Sequence, residues 1–352
     1  MPDICMLFQG DQPHPAHKIF GDAIGCTYRH FESGRTLNQR HFASSGVTSR
    51  VKTALSLSRE FDIVVAEGTA PLQTALAYGT IRNPSATLIY LGADQTFYTL
   101  SERRTRYIWR LLKPLTNNRI DGCIAISELV FQWGLPYHGS IPKRIVHPPM
   151  SKSRFKALSS LDPSSSESPF VILSVGHARP MKNHSELVTA VSELRSEYET
   201  DLKLVLIGRG HKTAQYADLP WVETPGEIPT DETESFVEYH GTASLYVHPS
   251  RADGFGVAVT EAMLGGTPTI ATTHVGASEM LPEYCVCRPT ATDLRSAIDR
   301  LYRYSEEERI DLAQQNRKAV QELTVENQVN EFRMAVEKFS ERSLGKYNHG
   351  ET

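Results

Sequence analysis

The chain has 352 residues, 40% hydrophobic and 22% charged, with a net charge of −4. That is the composition of a globular protein with room for two domains, and no apolar run approaches the roughly 20 residues needed to cross a bilayer. Five scattered cysteines (Cys5, Cys26, Cys123, Cys285, Cys287) read as reduced structural thiols, not a disulfide framework or a zinc site.

The opening MPDICMLFQGDQP has neither a basic start nor a long apolar stretch, so it does not read as a secretory signal. A cytoplasmic location is the default expectation, and no nucleic-acid partner is expected. Charge is uneven: residues 1–150 hold 16 Lys and Arg against 11 Asp and Glu, and the remainder is acidic. Such an asymmetry suits two domains with different partners.

In chain order, residues 3–9 (DICMLFQ) read as a buried strand, followed by a loop that offers Gly10, Asp11 and His14 as pocket candidates. Residues 16–30 look helical. Residues 61–66 (FDIVVA) and 86–91 (ATLIYL) are buried strands, each opening into a polar loop, with a helix over 72–79 between them. Alternating strand and helix predict a parallel, doubly wound α/β sheet. Ligands of such sheets lie beyond the carboxyl ends of the strands, which makes Glu67, Gly92 and Asp94 candidates by position.

Residues 101–119 interleave six basic residues with Tyr107, Trp109 and four aliphatic side chains. A basic amphipathic helix of this kind suits an anionic membrane surface, at the inner face of a membrane or against a lipid diphosphate. The competing reading is a solvated face packed on its apolar side. Residues 121–126 form another strand. The Ser/Pro-rich stretch ALSSLDPSSSESP is the clearest linker, giving domains 1–157 and 170–335, a linker 158–169, and a helix end and tail 336–352.

The second domain opens with the strand FVILSV, running into Gly176-His177-Ala178-Arg179-Pro180-Met181-Lys182. The strand LKLVLI follows and ends in Gly208-x-Gly210. That fragment lacks the third glycine of a nicotinamide fingerprint, which disfavours a dehydrogenase. The most informative stretch is PSRADGFGVAVTEAMLGGTPTIATTHVGASE, residues 249–279. Here a strand ends at Ser250, a turn Asp253-Gly254-Phe255-Gly256 follows, and a helical pattern begins at once. A strand, a glycine turn and a helix start make an anion site, because the first helical N–H groups are unpaired and the dipole there is positive. Asp253 and Glu261 bracket it, eight residues apart, which spans at most roughly 12 Å of helix. That is the reach needed to take sugar hydroxyls on both sides of a diphosphate.

This stretch resembles the donor-site signature of retaining, GT-B-fold glycosyltransferase family 4, a Glu-x7-Glu segment within a PS..EGFG...EAMA.G.P pattern; Asp253 stands where that pattern has its first glutamate. The segment 176–182 is similar to the family's vGR....KG clamp, with Lys182 matching the lysine, His177 in the arginine's place and Arg179 two residues on. The resemblance implies two Rossmann-like domains facing a cleft, with a last helix returning to the first. It implies transfer from a nucleoside-diphosphate sugar to a hydroxyl acceptor, with retention and without metal or other cofactor. On this reading Lys182, Arg179, Asp253 and Glu261 are the catalytic set. Gly176, His177, Gly208, Ser250, Gly254, Phe255, Gly256 and Glu261 bind donor, and Gly10, His14 and Asp94 face the acceptor. The leaving phosphate itself takes the acceptor's proton. No Asp-x-Asp motif occurs, unlike metal-dependent GT-A enzymes. The alternatives are a non-catalytic nucleotide-sugar binder and a GT-B-like sugar-nucleotide epimerase.

Overall fold

The computed structural model describes residues 2–9, 12–31, 45–100, 106–163, 169–199, 201–229 and 232–348. The chain forms two compact units, one of residues 1–148 and 325–352, the other of residues 149–324. The division falls at Pro148–Pro149, earlier than the Ser/Pro stretch at 158–169. The reason is the helix Lys152–Ser159, which packs within the second unit on the helices Thr233–Thr242 and Val257–Leu264.

The first unit holds six parallel strands: β1 (Ile4–Gln9), β2 (Thr27–Phe31), β3 (Ile63–Glu67), β4 (Thr87–Gly92), β5 (Gly122–Ala125) and β6 (Lys143–Ile145), in spatial order β2-β1-β3-β4-β5-β6. β1, β3, β4 and β5 are almost wholly buried, as central strands covered on both faces must be. The expected helix over 16–30 is corrected: it spans Pro15–Ala23. Gly25, at φ 65°, turns the chain, and Thr27–Phe31 becomes the edge strand. Another difference lies after the helix Thr69–Ala77, which widens into a π-helical turn at Tyr78–Arg82.

One face of this sheet is covered by the last helix, Val325–Asn348, which extends beyond the end expected near Ser340. Phe332, Ala335, Val336 and Phe339 enter a buried cluster with Met6, Val65, Ile89 and Ile124. Phe332 stacks on Phe20 at 4.7 Å, and the His147 N–H donates to Gln328 Oε1 at 3.0 Å. The C-terminal helix thus completes the core of the first unit.

The second unit also holds six parallel strands: β7 (Phe170–Val175), β8 (Leu202–Ile207), β9 (Val222–Gly226), β10 (Leu245–His248), β11 (Thr269–Thr272) and β12 (Val286–Cys287), ordered β12-β11-β10-β7-β8-β9. The order reverses between β7 and β10, which are hydrogen-bonded neighbours. In an open parallel sheet that reversal opens a crevice beyond the carboxyl ends of the two strands, since their connections leave in opposite directions. Residues 176–182 follow β7 and residues 249–256 follow β10, so topology alone delivers both motifs to one place.

Candidate donor site

The helix Val257–Leu264 begins at Gly256, whose φ of 85° and ψ of 63° lie in the left-handed region. Only glycine adopts this without strain, and a Cβ here would also lie 2.8 Å from Val275. No side chain caps the helix, so its first N–H groups stay available to a ligand. Phe255 is buried, its carbonyl accepting the Ala277 N–H at 2.7 Å. It ties the turn to the segment after β11.

Lys182 ends a short 3-10 turn, Pro180–Lys182. Asn183 follows in the left-handed region and fixes that turn to the neighbouring loop. Its amide nitrogen donates to the carbonyls of Pro249 and Pro289, both at 3.1 Å, and its oxygen accepts from Arg251 Nε at 2.9 Å. The result is a salt bridge between Lys182 Nζ and Asp253 Oδ2. His248 Nε2 reaches the same Oδ2 at 2.9 Å. Burial opposes ionisation of Asp253, but the His248 hydrogen bond and the Lys182 charge outweigh it and hold the carboxyl well below the usual range.

Glu261 lies within the helix and is nearly inaccessible. Its Oε1 accepts from Arg154 Nη1 at 2.9 Å, and the Arg154 guanidinium stacks on Phe236 at 4.1 Å. Burial raises the Glu261 pKa, and the Arg154 charge offsets that in part. Among the described residues Oε2 of Glu261 has no hydrogen-bond partner, so this oxygen is the one free to accept a hydroxyl.

Gly176 and Gly208 play a structural part. The Gly176 N–H donates to Ile207 at 2.8 Å, and a Cβ on Gly208, at φ 140°, would collide with the Gly176 carbonyl. The two glycines let the ends of β7 and β8 close on each other. His177 Nδ1 accepts the Arg209 N–H at 3.2 Å, and burial together with the Arg209 charge lowers its pKa. It therefore brings a neutral ring where the resemblance implied a cation. Arg179 is exposed on the same loop, and Arg209 stands beside it on the next one. Ser250 is fully buried, its Oγ 3.1 Å from His248 Nε2, so it serves the interior of the loop.

Three residues escaped sequence reasoning. Arg209 sits inside a glycine pair that drew attention only for its glycines. His248 was legible as a ring two residues before Ser250 on a buried strand. Arg154, 107 residues from Glu261, left no local signal.

In the first unit, Asp94, expected to face the acceptor, caps a helix. Its Oδ2 accepts the Thr69 N–H at 2.7 Å, and its Oδ1 accepts the Thr69 hydroxyl at 3.0 Å and the Thr96 N–H at 2.8 Å. The cap residue of the helix Thr69–Ala77 is Gly68 at φ 85°, which has no side chain to do this. A Cβ on Gly68 would lie 2.5 Å from Asp94 Oδ2. His14 stays at the carboxyl end of β1, its ring 4.8 Å from His17. His17 Nδ1 pairs with Glu67 Oε1 at 2.6 Å, and Glu67 Oε2 is buried with no hydrogen-bond partner among the described residues. Gly10 and Asp11 lie outside the described residues.

Two parallel α/β sheets, the second with an uncapped helix at its switch point flanked by Lys182, Asp253 and Glu261, have the GT-B fold. Residues 160–319 match the family described as glycosyl transferases group 1, and the matched stretch lies within the second unit. No curated protein matches the sequence. Solved structures share the fold along nearly the whole chain. Sucrose-phosphate synthase from Thermosynechococcus elongatus aligns with a TM-score of 0.71 at 15% identity, over 96% of this chain and 99% of its own. Anabaena HepE, solved with UDP and glucose, gives 0.66 at 18% identity, over 97% and 100%. A UDP-forming trehalose-phosphate synthase from Burkholderia xenovorans gives 0.69 at 12% identity, over 97% and 100%.

Proposed function

We propose that the protein transfers a sugar from a UDP-sugar to a hydroxyl acceptor, with retention of configuration and with no metal or other cofactor. The observation that carries the reading is the free Oε2 of Glu261 beside an uncapped helix start, with Lys182 held at the same turn. The backbone N–H groups at the start of the helix Val257–Leu264 and the Lys182 ammonium receive the diphosphate; Arg179 and Arg209 add positive charge from the flanking loops. Glu261 accepts the ribose hydroxyls and Asp253 those of the transferred sugar. As the glycosidic bond breaks, negative charge grows on the β-phosphate, where preorganised cations and dipoles act most strongly. That phosphate is also the base for the acceptor's proton. UDP is preferred as nucleotide because HepE was solved with UDP and glucose. On the acceptor side, His14 and the His17–Glu67 pair are the polar groups at the carboxyl ends of β1 and β3.

Thermal shift against UDP-, GDP- and other activated sugars tests this. A ligand at a hundred times its Kd stabilises by about 2.7 kcal/mol, a rise of several degrees. The rise is expected for UDP and a UDP-sugar, with transfer unaffected by EDTA and the product's anomeric proton unchanged in configuration. A shift confined to another nucleotide class, or none, would refute the reading.

The helix Arg106–Arg119 supports a peripheral contact with an anionic bilayer. Leu111 is 81% and Tyr107 54% exposed beside Arg110 and Lys113, a pairing of apolar and cationic groups that suits a lipid interface. No helix among the described residues is long and apolar enough to cross a membrane. Co-sedimentation with phosphatidylglycerol vesicles at low salt, abolished by Leu111→Glu, is the expected result. Equal binding to neutral vesicles, or none to either, would remove the contact.

A further inference from the structure

The end of β10 holds a chain of polar groups that the donor reading leaves unused. Tyr246 and His248 are two residues apart on one strand and so share a face. Both are buried, at 0% and 2% exposure, with their rings 21° from parallel. The Tyr246 hydroxyl lies 3.0 Å from His248 Nδ1, and His248 Nε2 lies 2.9 Å from Asp253 Oδ2. Buried polar groups on a sheet strand are costly unless each is paired, and here each is paired to the next.

The protonation pattern follows from the partners. Burial lowers the His248 pKa, and the Asp253 hydrogen bond only partly restores it, so the ring is neutral and carries one N–H. The carboxylate of Asp253 can only accept, which places that proton on Nε2 and leaves Nδ1 to accept from the Tyr246 hydroxyl. Lys182 approaches the same Oδ2 from the other side. One carboxylate oxygen therefore takes two donors, while Oδ1 has no hydrogen-bond partner among the described residues.

We infer that Tyr246 and His248 are positioning residues that lock Oδ2 of Asp253 and thereby aim Oδ1 at the hydroxyls of the transferred sugar. The inference rests on the donor-site reading above. An aspartate has one methylene fewer than the glutamate of the related signature, so its reach depends more on where the backbone and its partners hold it. A side chain fixed through one oxygen presents the other in one direction, and this makes the buried pair a determinant of which sugar is held. Both rings are buried and connect to the proposed site through Asp253, so their loss should be felt by the sugar and not by UDP.

The test compares UDP with UDP-glucose by titration calorimetry. In the unaltered protein both bind. In His248→Phe, UDP affinity stays within about twofold, whereas UDP-glucose affinity falls at least tenfold. His248→Gln returns a donor near the Nε2 position and recovers most of that loss. Tyr246→Phe deletes one hydroxyl, is the gentler change should His248→Phe fail to fold, and costs UDP-glucose about threefold. Equal losses for UDP and UDP-glucose in these variants, or no loss for either, would overturn the positioning role while leaving the donor site intact. Failure of the unaltered protein to bind UDP at all would instead sink the donor-site reading, and this inference with it.

Discussion

Lys182→Ala is expected to lower kcat/KM for sugar transfer by on the order of 10²–10³-fold, the usual cost of removing one preorganised donor from a developing anion. The side chain is only a quarter exposed, so water replaces its charge poorly. Its removal also leaves Asp253 with His248 alone. That carboxylate owes its depressed pKa partly to Lys182, and a neutral imidazole compensates it less well. The expected loss falls mainly on kcat, because charge on the leaving diphosphate is greater in the transition state than in the bound donor. Initial rates over a range of donor concentrations read this out, with circular dichroism confirming the fold. A kcat/KM within a few-fold of the unaltered enzyme would contradict the assignment.

The second large effect concerns Glu261 and Arg154. Glu261→Ala removes the proposed ribose acceptor and strands the Arg154 guanidinium, only 14% exposed. Breaking one side of a buried pair typically costs 3–5 kcal/mol. Here about 3 kcal/mol is expected, since the Arg154 side chain keeps its packing on Phe236. Transfer should be abolished. The double change Arg154→Met with Glu261→Gln separates the two consequences. It replaces the pair with uncharged groups of similar volume, so urea denaturation should return to within about 1 kcal/mol of the starting protein, while transfer stays lost. Recovery of activity along with stability would show that Glu261 acts only through the fold. The raised Glu261 pKa fits this view of a carboxylate held in an apolar setting by one partner.

The parts of the molecule that were legible share a physical character. β3, β4, β7 and β8 are dominated by Val, Ile and Leu, and a run that is buried on both faces has a local signature. The glycine turn before Val257 is legible because its backbone angles exclude other residues. The Lys182 turn is legible because Pro180 fixes its start. What was missed depends on partners distant in sequence. Thr27–Phe31 pairs only with β1 at the sheet edge, and its polar sequence carries little of that. Asp94 stood at the end of a strand like a ligand-binding acid, but Gly68, 26 residues earlier, gives it a helix to cap. Arg154 reaches Glu261, 107 residues away, only once the second unit has folded.

A crystal structure of the protein with UDP-glucose tests the central claim most directly. The account predicts the diphosphate against the amides at the start of the Val257–Leu264 helix and the Lys182 ammonium, with ribose hydroxyls on Glu261 Oε2 and glucose hydroxyls on Asp253 Oδ1. A nucleotide bound elsewhere, or a ribose turned away from Glu261, would contradict it.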